Sequence, residues 1–499
     1  MFDTIPDMAA KRAELTPRAV AFIEHETERR WSFADVNAAA DRLAAGLLEM
    51  GLERGDRLVV LSLNRVEFFV ALFACQKTGI VMAPLNWRQP VAELTEVVQS
   101  VGASALLFDV ENAGTARALA SALALPGISI GPAEGSETAF SQLLDTESRP
   151  VPKAVSATRP WYLLFTSGTT GLPKAVIQTA RMGWANAVNI GQAIDLTSQD
   201  GSVNFLPLFH TAGINLYTLP VFLFGGASTV LPRFEPDRIL DLLRSGAVTQ
   251  FFGVPAIFQA LSLHERVDEV DWKTIRCGCG GAPLPESLIR FFAQRGCLIC
   301  NGFGMTETGP TAFLMDRAHV EEKIGSVGKA QMLTEVRIDG LAPGDVGQGE
   351  MQMRGPAITP GYFANEEATR KAFTEDGWLK SGDVARRDAD GYYYIVDRIK
   401  DMYISGGENV YPAEVERVLN GHEAILEAAV IGVPDEKWGE VGAAFLIPRP
   451  GKTLDIATVA SWCRERLAAY KVPKSFAIVE DFPRTAAGKV RKHDLREMI

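Results

Sequence analysis

The sequence TSGTTGLPKAV occupies residues 166–176 and is the most informative stretch of the chain. Apolar runs flank it, WYLLF at 161–165 and AVI at 175–177, which predicts two strands joined by a glycine-rich loop. Glycines allow the backbone to approach a ligand closely, and hydroxyls, backbone N–H groups and a lysine together suit a polyphosphate. We therefore predict a phosphate-binding loop made by Thr166, Ser167, Gly168, Thr169, Thr170, Gly171 and Lys174.

This loop differs from the common P-loop, in which G-x-x-x-x-G-K-[ST] opens a helix. Here only two residues separate Gly168 from Gly171, and Pro173 precedes the lysine. The alternative interpretation is an ordinary Ser/Thr/Gly turn on a surface hairpin. The loop alone does not identify the phosphate or its purpose, so the rest of the chain has to decide.

Length and composition place broad limits on the answer. The chain has 499 residues, enough for roughly three domains, and its 47% hydrophobic and 22% charged residues are typical of a soluble globular enzyme. A net charge of −11 argues against nucleic-acid binding. We find no apolar run of about 18 residues, and neither end carries a recognisable targeting signal, so we expect a cytoplasmic protein without a transmembrane segment.

Four of the six cysteines have zinc-like spacings, C-x-C at Cys277 and Cys279 and C-x-x-C at Cys297 and Cys300. Both pairs, however, lie in apolar runs that lead into glycine-rich turns, IRCGCGGAPL and GCLICNGFG. Free cysteine commonly packs as a small buried hydrophobe. We therefore predict core packing rather than a metal site or a disulfide.

Helical and strand patterns alternate along the first 300 residues, which predicts an α/β fold with a parallel sheet component. Ser32 and Asp35 form a capping box that opens a helix extending to Met50. Further strands are predicted at 57–63, 80–85, 202–206, 227–231, 249–254, 274–280 and 297–301, and further helices at 67–79, 182–193, 216–224, 237–245 and 256–262. Residues 112–155 carry little signal and are expected at the periphery.

Several of these strands end in small or polar turns, PLFHTAG at 207–213, GGAPLP at 280–285 and GFGMTET at 302–308. Ligand sites in open α/β sheets lie beyond the carboxyl ends of the strands, so these turns predict one shared cleft. From about residue 326 the pattern changes to short strands and turns, which indicates a small β region. A charged junction at 397–401 precedes about 100 residues that could form a separate α+β domain.

Seven motifs now occur in a specific order: TSGTTGLPKAV, PLFHTAG, GGAPLP, GFGMTET, WLKSGDVA, DRIKDMYISGGENVYPAEVE and PRTAAGKVRK. From about residue 10 to its end, the chain resembles the adenylate-forming superfamily, in particular its acyl-CoA synthetases and especially the bacterial fatty-acid and feruloyl-type CoA ligases. The resemblance implies a large multi-subdomain N-terminal domain, residues 1–398, and a small mobile C-terminal domain, residues 399–499. It also implies a reaction in two halves: a carboxylate and MgATP give acyl-AMP and pyrophosphate, and CoA then gives acyl-CoA and AMP.

The resemblance implies a role for each matched residue. Thr166 and the loop after it would bind the β- and γ-phosphates, Thr306 the α-phosphate, and Glu307 the Mg²⁺ ion, with Thr166 as a second metal-side group. Asp383 would accept both ribose hydroxyls beside Arg398. The adenine slot would be formed by Gly281, Ala282, Pro283, Asn301, Gly302, Phe303 and Gly304, with phenylalanine at 303 where many members have tyrosine.

Two further expectations concern catalysis and domain movement. Lys489 matches the mobile C-terminal lysine that would bridge the attacking carboxylate and the α-phosphate. Lys400 matches the hinge about which the small domain rotates, after which Ser405, Gly406, Gly407 and Glu408 would face the site and let pantetheine pass. Ile404 stands where luciferases carry a lysine, which argues against light emission.

The acyl pocket is expected to be lined by mostly apolar or small residues: Trp184, His210, Gly253, Val254, Gly281, Gly304, Met305 and Gly309. His210 would orient the substrate carboxylate or gate the channel; alternatively, it is a satisfied core histidine. This lining favours a medium- or long-chain fatty acid over an amino acid. An aryl acid, loading of a carrier protein and a catalytically silent binding protein stay open, as does the choice between monomer and homodimer.

Overall fold

The computed structural model describes residues 3–147, 154–166, 173–485 and 488–498. Ser167, Gly168, Thr169, Thr170 and Gly171 of the predicted phosphate loop lie outside these ranges. None of the helices in the described part of the chain is both long and apolar enough to cross a membrane.

The described α-helices are distributed along the whole chain. They are Met8–Leu15, Phe33–Glu49, Val66–Thr78, Val91–Val101, Ala113–Leu123, Phe140–Leu144, Ala180–Ala193, Thr218–Phe224, Pro236–Arg244, Pro255–Ser262, Glu286–Ala293, Glu366–Ala372, Pro412–Asn420, Ile456–Arg464 and Lys492–Arg496. Short 3₁₀ turns occur at Val267–Glu269, Trp272–Thr274, Thr306–Thr308, Arg317–His319 and Ala469–Lys471, and a π-helical turn at Ala212–Leu216.

The first sheet has seven strands, mostly parallel, and carries the predicted phosphate hairpin at one edge. In spatial order its strands are Lys174–Thr179, Pro160–Thr166, Val81–Pro84, Arg57–Leu61, Ala105–Phe108, Gly127–Ser129 and Thr138–Ala139. The central strands are apolar throughout because helices cover both faces of a parallel sheet. The hairpin is antiparallel, with Thr166 paired to Lys174 at the end next to the loop, as the apolar flanks of the loop predicted.

Two further sheets complete the α/β part of the large domain. The second has the order Gly201–Asn204, Ala227–Val230, Val20–Glu24 and Arg30–Ser32. The third has the order Gln250–Gly253, Arg276–Cys279, Ile299–Phe303, Phe313–Leu314 and Lys329–Ala330, of which the first three are parallel. A small two-stranded sheet pairs Thr4–Pro6 with Ala154–Ser156.

The change of pattern predicted after residue 326 is confirmed as an antiparallel sheet of four strands. They are Glu335–Ile338, Gly347–Arg354, Leu379–Arg387 and Tyr393–Arg398. The last two strands pair Asp383 directly with Arg398. This register brings the two residues expected at the ribose onto neighbouring strands.

The C-terminal segment forms its own sheet, with helices packed against it. Its strands are Glu408–Val410, Tyr403–Ser405, Gly439–Pro448 and Ile425–Asp435, and Ser475–Ile478 pairs with Gly439–Pro448. A separate apolar cluster, which includes Val415, Val430 and Leu446, forms the core of this segment. The predicted α/β fold with a large N-terminal domain and a small α+β C-terminal domain is therefore confirmed.

Local expectations agree with the structure in two places. Ser32 Oγ accepts a hydrogen bond from Asp35 N at 3.1 Å and Asp35 Oδ2 accepts one from Ser32 N at 2.9 Å, so the predicted capping box opens helix Phe33–Glu49. All six cysteines are free and buried, as core packing predicts.

In one other place the structure differs from the sequence-based expectation. The helix predicted over 216–224 starts at Thr218, and a π-helical turn precedes it. At Gly213, in that turn, a Cβ would clash with backbone oxygens of Leu206 and Pro207, so the chain needs glycine there. Within residues 112–147, part of the stretch that carried little signal, two helices and two short strands lie at the far edge of the first sheet, which agrees with the peripheral position expected for it.

Candidate active site

The glycine-bearing turns meet at the carboxyl ends of the parallel strands in the third sheet. Register pairs Gly253 with Cys279 and Cys279 with Asn301, so the residues that follow each strand lie side by side. Gly281 has φ +87°, and a Cβ there would lie 3.5 Å from Cγ1 of Val254. The shared cleft predicted from the strand-end rule is therefore formed by residues distant in sequence.

The phosphate hairpin and Glu307 are connected through a tyrosine that no motif indicated. Lys174 Nζ lies 5.0 Å from the ring centroid of Tyr362, and the Tyr362 hydroxyl donates to Glu307 Oε1 at 2.9 Å. Thr166, at the end of the hairpin, donates from Oγ1 to the Lys174 carbonyl at 3.4 Å. One aromatic ring therefore places the lysine beside the proposed metal ligand.

Glu307 is held firmly although its turn is short. It lies in the 3₁₀ turn Thr306–Thr308 and is 7% exposed. Its carbonyl accepts from Thr359 N at 2.8 Å, and the Thr306 carbonyl accepts from Gln178 Nε2 at 2.9 Å. These backbone contacts come from two other parts of the large domain, so the carboxylate is oriented by tertiary structure.

Asp383 has one satisfied and one free carboxylate oxygen. Arg398 Nε donates to Oδ1 at 3.0 Å, whereas Oδ2 is buried and has no hydrogen-bond partner among the described residues. Burial raises the pKa of Asp383, and the charges of Arg398 and Lys489 oppose that rise. A buried acceptor without a donor is rare in proteins, and it fits a ligand that brings its own hydroxyl groups.

Lys489 reaches this cleft from the small domain. Its side chain keeps contact with solvent, but the surrounding protein and the charges of Arg398 and Lys400 lower its pKa, while Asp383 and Glu307 act in the opposite direction. Next to it, a Cβ at Gly488 would lie 3.8 Å from Val254 of the large domain. The lysine is thus close enough to both carboxylates to interact with them electrostatically.

His210 lies on the same side of the cleft as Lys489. Burial lowers the pKa of His210 to about 4, and the positive charges of Lys489 and Arg88 contribute to the decrease. Its Nε2 atom is buried without a hydrogen-bond partner among the described residues. The imidazole is therefore neutral at physiological pH and available to a ligand, which favours a site role over a satisfied core histidine.

The residues expected at the adenine are close together. Gly302 and Phe303 end one strand beside Gly281, Ala282 and Pro283, and the Phe303 ring packs edge-on against Phe313 at 6.1 Å. Asn301 Nδ2 donates to the Ser326 carbonyl at 3.2 Å, while its Oδ1 is buried without a partner in the described residues. Contact of these residues with a base stays a prediction.

The residue expected at the hinge lies near Lys489, whereas the residues expected at the pantetheine form contacts within the small domain. Lys400 is exposed and near enough to Lys489 for its charge to lower the pKa of that lysine. The turn at Ser405, Gly406, Gly407 and Glu408 forms contacts inside the small domain, where Gly406 N donates to the Trp438 carbonyl at 2.8 Å. In this arrangement Lys489 belongs to the cleft, and the role of the 405–408 turn stays a prediction.

The expected acyl-pocket residues also divide into groups. Val254 borders Gly281 and the lysine loop, whereas Gly253 faces Ile257 and Phe258 of the helix behind the sheet. The remaining members have local packing contacts as well: Trp184 packs on the apolar core that contains Phe222, Met305 on the same apolar cluster as Phe303, Gly304 against Pro310 and Gly309 against Ala357. Of the expected acyl-pocket residues, those that lie near Lys489 are Val254, Gly281 and His210.

Two residues at the cleft were missed from the sequence. Arg88 follows strand Val81–Pro84 and acts on His210 through its charge. The strand-end rule, applied to this strand as well, would have found it. Tyr362 had no signal of its own, because it matters only through its tertiary contacts with Lys174 and Glu307.

The family assignment follows from sequence and structure together. The AMP-binding enzyme family matches residues 9–363, and the AMP-binding enzyme C-terminal domain matches residues 414–489. The chain belongs to this family, in its acyl-CoA synthetase branch. It is an AMP-forming acid–thiol ligase that uses ATP, Mg²⁺ and coenzyme A.

Individual relatives cover nearly the whole chain. A feruloyl-CoA synthase of Amycolatopsis sp. is 39% identical over 97% of both chains, and the long-chain-fatty-acid–CoA ligase FadD13 of Mycobacterium tuberculosis is 33% identical over 98% of this chain and 97% of its own. Among solved structures, o-succinylbenzoate CoA synthetase (MenE) of Bacillus subtilis with the intermediate OSB-AMP superposes with a TM-score of 0.88, at 31% identity and 99% coverage of both chains.

Proposed function

We propose that the cleft between the two domains activates a carboxylate as its adenylate and then transfers the acyl group to CoA, with Lys489 as the catalytic residue of the first step. The supporting observation is the position of Lys489: a Cβ on the neighbouring Gly488 would lie 3.8 Å from Val254 of the large domain, and the lysine interacts electrostatically with Asp383, Glu307 and His210. A flexible ammonium group can neutralise charge on both the attacking carboxylate and the α-phosphate.

Asp383 is proposed to bind the ribose of ATP. Its Oδ2 is buried and unpaired among the described residues, whereas its Oδ1 is held by Arg398. A carboxylate accepts hydrogen bonds at both oxygens, so vicinal ribose hydroxyls can supply the missing donors. Arg398 orients the carboxylate and favours its ionised form, which opposes the effect of burial on its pKa.

Glu307 is proposed to hold Mg²⁺ together with phosphate oxygens, on the side of the cleft where Lys174 and Thr166 lie. A single carboxylate plus phosphate oxygens is a common way to bind this ion. When bound, the ion neutralises charge on the phosphates. The Tyr362 hydroxyl, which donates to Oε1, keeps the carboxylate directed towards that side. Thr306 is proposed to contact the α-phosphate.

We further propose that residues 399–499 rotate about Lys400 after adenylate formation and bring Ser405, Gly406, Gly407 and Glu408 to the cleft for thioester formation. Both glycines have positive φ, +62° and +89°, a backbone conformation that disfavours other residues. A turn free of side chains at these positions leaves room for the narrow pantetheine arm. The cytoplasm, where ATP and CoA are available, is the proposed location.

The acid itself is proposed to be apolar, because the expected pocket residues are mostly apolar or small and because burial keeps His210 neutral. The relatives include both a fatty-acid ligase and a feruloyl-CoA synthase, so they support the fatty-acid prediction and the aryl alternative alike.

The test is ATP–pyrophosphate exchange in the absence of CoA, with aliphatic acids of rising length beside aryl acids. We expect pyrophosphate exchange that depends on the acid. When CoA is then added, we expect AMP release and thioester formation. Glu307→Gln should reduce exchange at every acid concentration because it removes the proposed metal charge. Acid-independent exchange, or thioester formation without AMP, would contradict the proposal.

A further inference from the structure

A short segment of the large domain, residues 359–363, connects the phosphate hairpin to the turn that carries Glu307. Tyr362 in this segment forms an antiparallel bridge to strand Lys174–Thr179 of the hairpin. At the start of the segment, Thr359 N donates to the Glu307 carbonyl at 2.8 Å, and the Thr359 hydroxyl donates to a carbonyl of the hairpin strand at 2.7 Å. These hydrogen bonds fix the hairpin and the Glu307 turn relative to each other.

The backbone of Tyr362 is held in place by the helix that follows it. Its N–H donates to Thr369 Oγ1 at 2.9 Å, and Thr369 lies in helix Glu366–Ala372. Gly361, directly before the tyrosine, has φ +139°, and a Cβ there would collide with the Thr369 side chain, so only glycine lets the chain pass this close to the helix. The direction of the tyrosine side chain is therefore set by the fold and does not depend on a ligand.

The two ends of the Tyr362 side chain contact groups of opposite charge. The ring centroid lies 5.0 Å from Lys174 Nζ, and the hydroxyl donates to Glu307 Oε1 at 2.9 Å. In the part of the chain that the structure describes, Lys174 and Glu307 form no ion pair with each other. A tyrosine binds an ammonium group with its face and a carboxylate with its hydroxyl, so it holds both charges without neutralising either of them.

We propose that Tyr362 is a positioning residue for MgATP: its hydroxyl orients Glu307 for the metal, and its ring holds Lys174 ready for the phosphates. An ion pair between the lysine and the glutamate would use both charges before the ligand arrives, and the tyrosine prevents this by giving each charge a neutral partner. Tyr362 acts through these two residues and does not touch the reacting atoms. The inference rests on the proposed function and adds to it a residue that no motif indicated.

The experiment measures ATP binding by titration calorimetry on the full chain, without acid or CoA, so that no turnover occurs. A series of titrations, from EDTA to excess Mg²⁺, gives two quantities: Kd for ATP without metal, and the free Mg²⁺ concentration that produces half of the metal-dependent tightening. Tyr362→Phe keeps the ring and removes only the hydroxyl. The half-saturating Mg²⁺ concentration should rise about tenfold, the effect of losing a partner that orients a metal ligand, while Kd in EDTA stays within about twofold of wild type.

A second variant separates the role of the ring from the role of the hydroxyl. Tyr362→Leu removes both, so the half-saturating Mg²⁺ concentration should rise as it does in Tyr362→Phe. In addition, Kd for ATP in EDTA should be about three- to tenfold weaker than in Tyr362→Phe, because the ligand itself must then order the flexible lysine. Adding Lys174→Ala should weaken this Kd more in the Phe background than in the Leu background, since the lysine and the ring act as a pair.

Tyr392 is a matched control in the large domain. Its hydroxyl donates to Asp316 Oδ2 at 2.7 Å, and Lys329 Nζ lies 4.5 Å from its ring centroid, so it joins the same three kinds of group outside the proposed site. Tyr392→Phe should leave Kd for ATP and the half-saturating Mg²⁺ concentration unchanged. Thermal midpoints of all variants report any loss of stability separately from the binding constants.

An unchanged half-saturating Mg²⁺ concentration in Tyr362→Phe, the same Kd in EDTA for the Phe and Leu variants, or equal changes in Tyr392→Phe would overturn the inference while leaving the ligase function intact. If the wild-type enzyme binds no ATP, or shows no acid-dependent pyrophosphate exchange, the proposed function itself fails.

Discussion

Replacement of Lys489 by alanine tests the central element of the mechanism. The lysine lies among Asp383, Glu307 and Arg398, where the two carboxylates attract its charge and the guanidinium repels it. In the adenylation transition state it would contact charge on the α-phosphate. Loss of one such preorganised donor typically lowers a rate by about 10²–10³, or roughly 3–4 kcal/mol. We expect at least this loss in adenylate formation.

The second half-reaction does not use this contact, because the small domain is proposed to have rotated. Thioester formation from supplied acyl-AMP should therefore change by less than about threefold in Lys489→Ala, a difference well below one lost charged contact. Pyrophosphate exchange measures the first half, and rapid-quench measurement of acyl-CoA from the synthetic adenylate measures the second.

Lys492→Ala is the matched control within the same C-terminal tail. Lys492 forms an ion pair with Glu416 at 2.7 Å inside the small domain. Its loss should lower the thermal midpoint and leave the ratio of the two half-reactions unchanged. Equal losses in both half-reactions of Lys489→Ala, or pyrophosphate exchange that survives within tenfold of wild type, would refute the proposed role.

Three further predictions follow from the same structure. Asp383→Ala removes the proposed ribose acceptor and should raise KM for ATP in the exchange assay about 10- to 100-fold, since hydrogen bonds to charged groups contribute roughly 1.5–3 kcal/mol; an unchanged KM would contradict this role. Burial raises the pKa of Asp397 to about 6, so the folded state binds the proton more tightly than the unfolded state. Stability should fall by up to about 3 kcal/mol as pH rises from about 4 to 6, and urea titrations across this range should show a smaller fall in Asp397→Asn. Ser32→Ala breaks the capping box of helix Phe33–Glu49 and should lower the free energy of unfolding by about 1 kcal/mol in urea titrations, without a change in KM for ATP.

The features that could be predicted from the sequence are those that local chemistry determines. The hairpin at Thr166 and Lys174, the cap at Ser32 and the core position of the cysteines all depend on residues close in sequence or on periodicity. The predicted boundaries of helices were less accurate where backbone packing determines them. At Gly213 a side chain would clash with backbone carbonyl oxygens, and helix propensity does not predict the π-helical turn there.

The sequence by itself determined the class of protein, since seven motifs in order define an adenylate-forming ligase and its two domains. Tertiary structure alone decided which of those residues meet. Tyr362, between Lys174 and Glu307, has no local signal, because its contacts depend on how sheets and helices pack. A motif specifies the chemistry of a side chain, whereas packing decides which side chains from distant parts of the chain share the cleft.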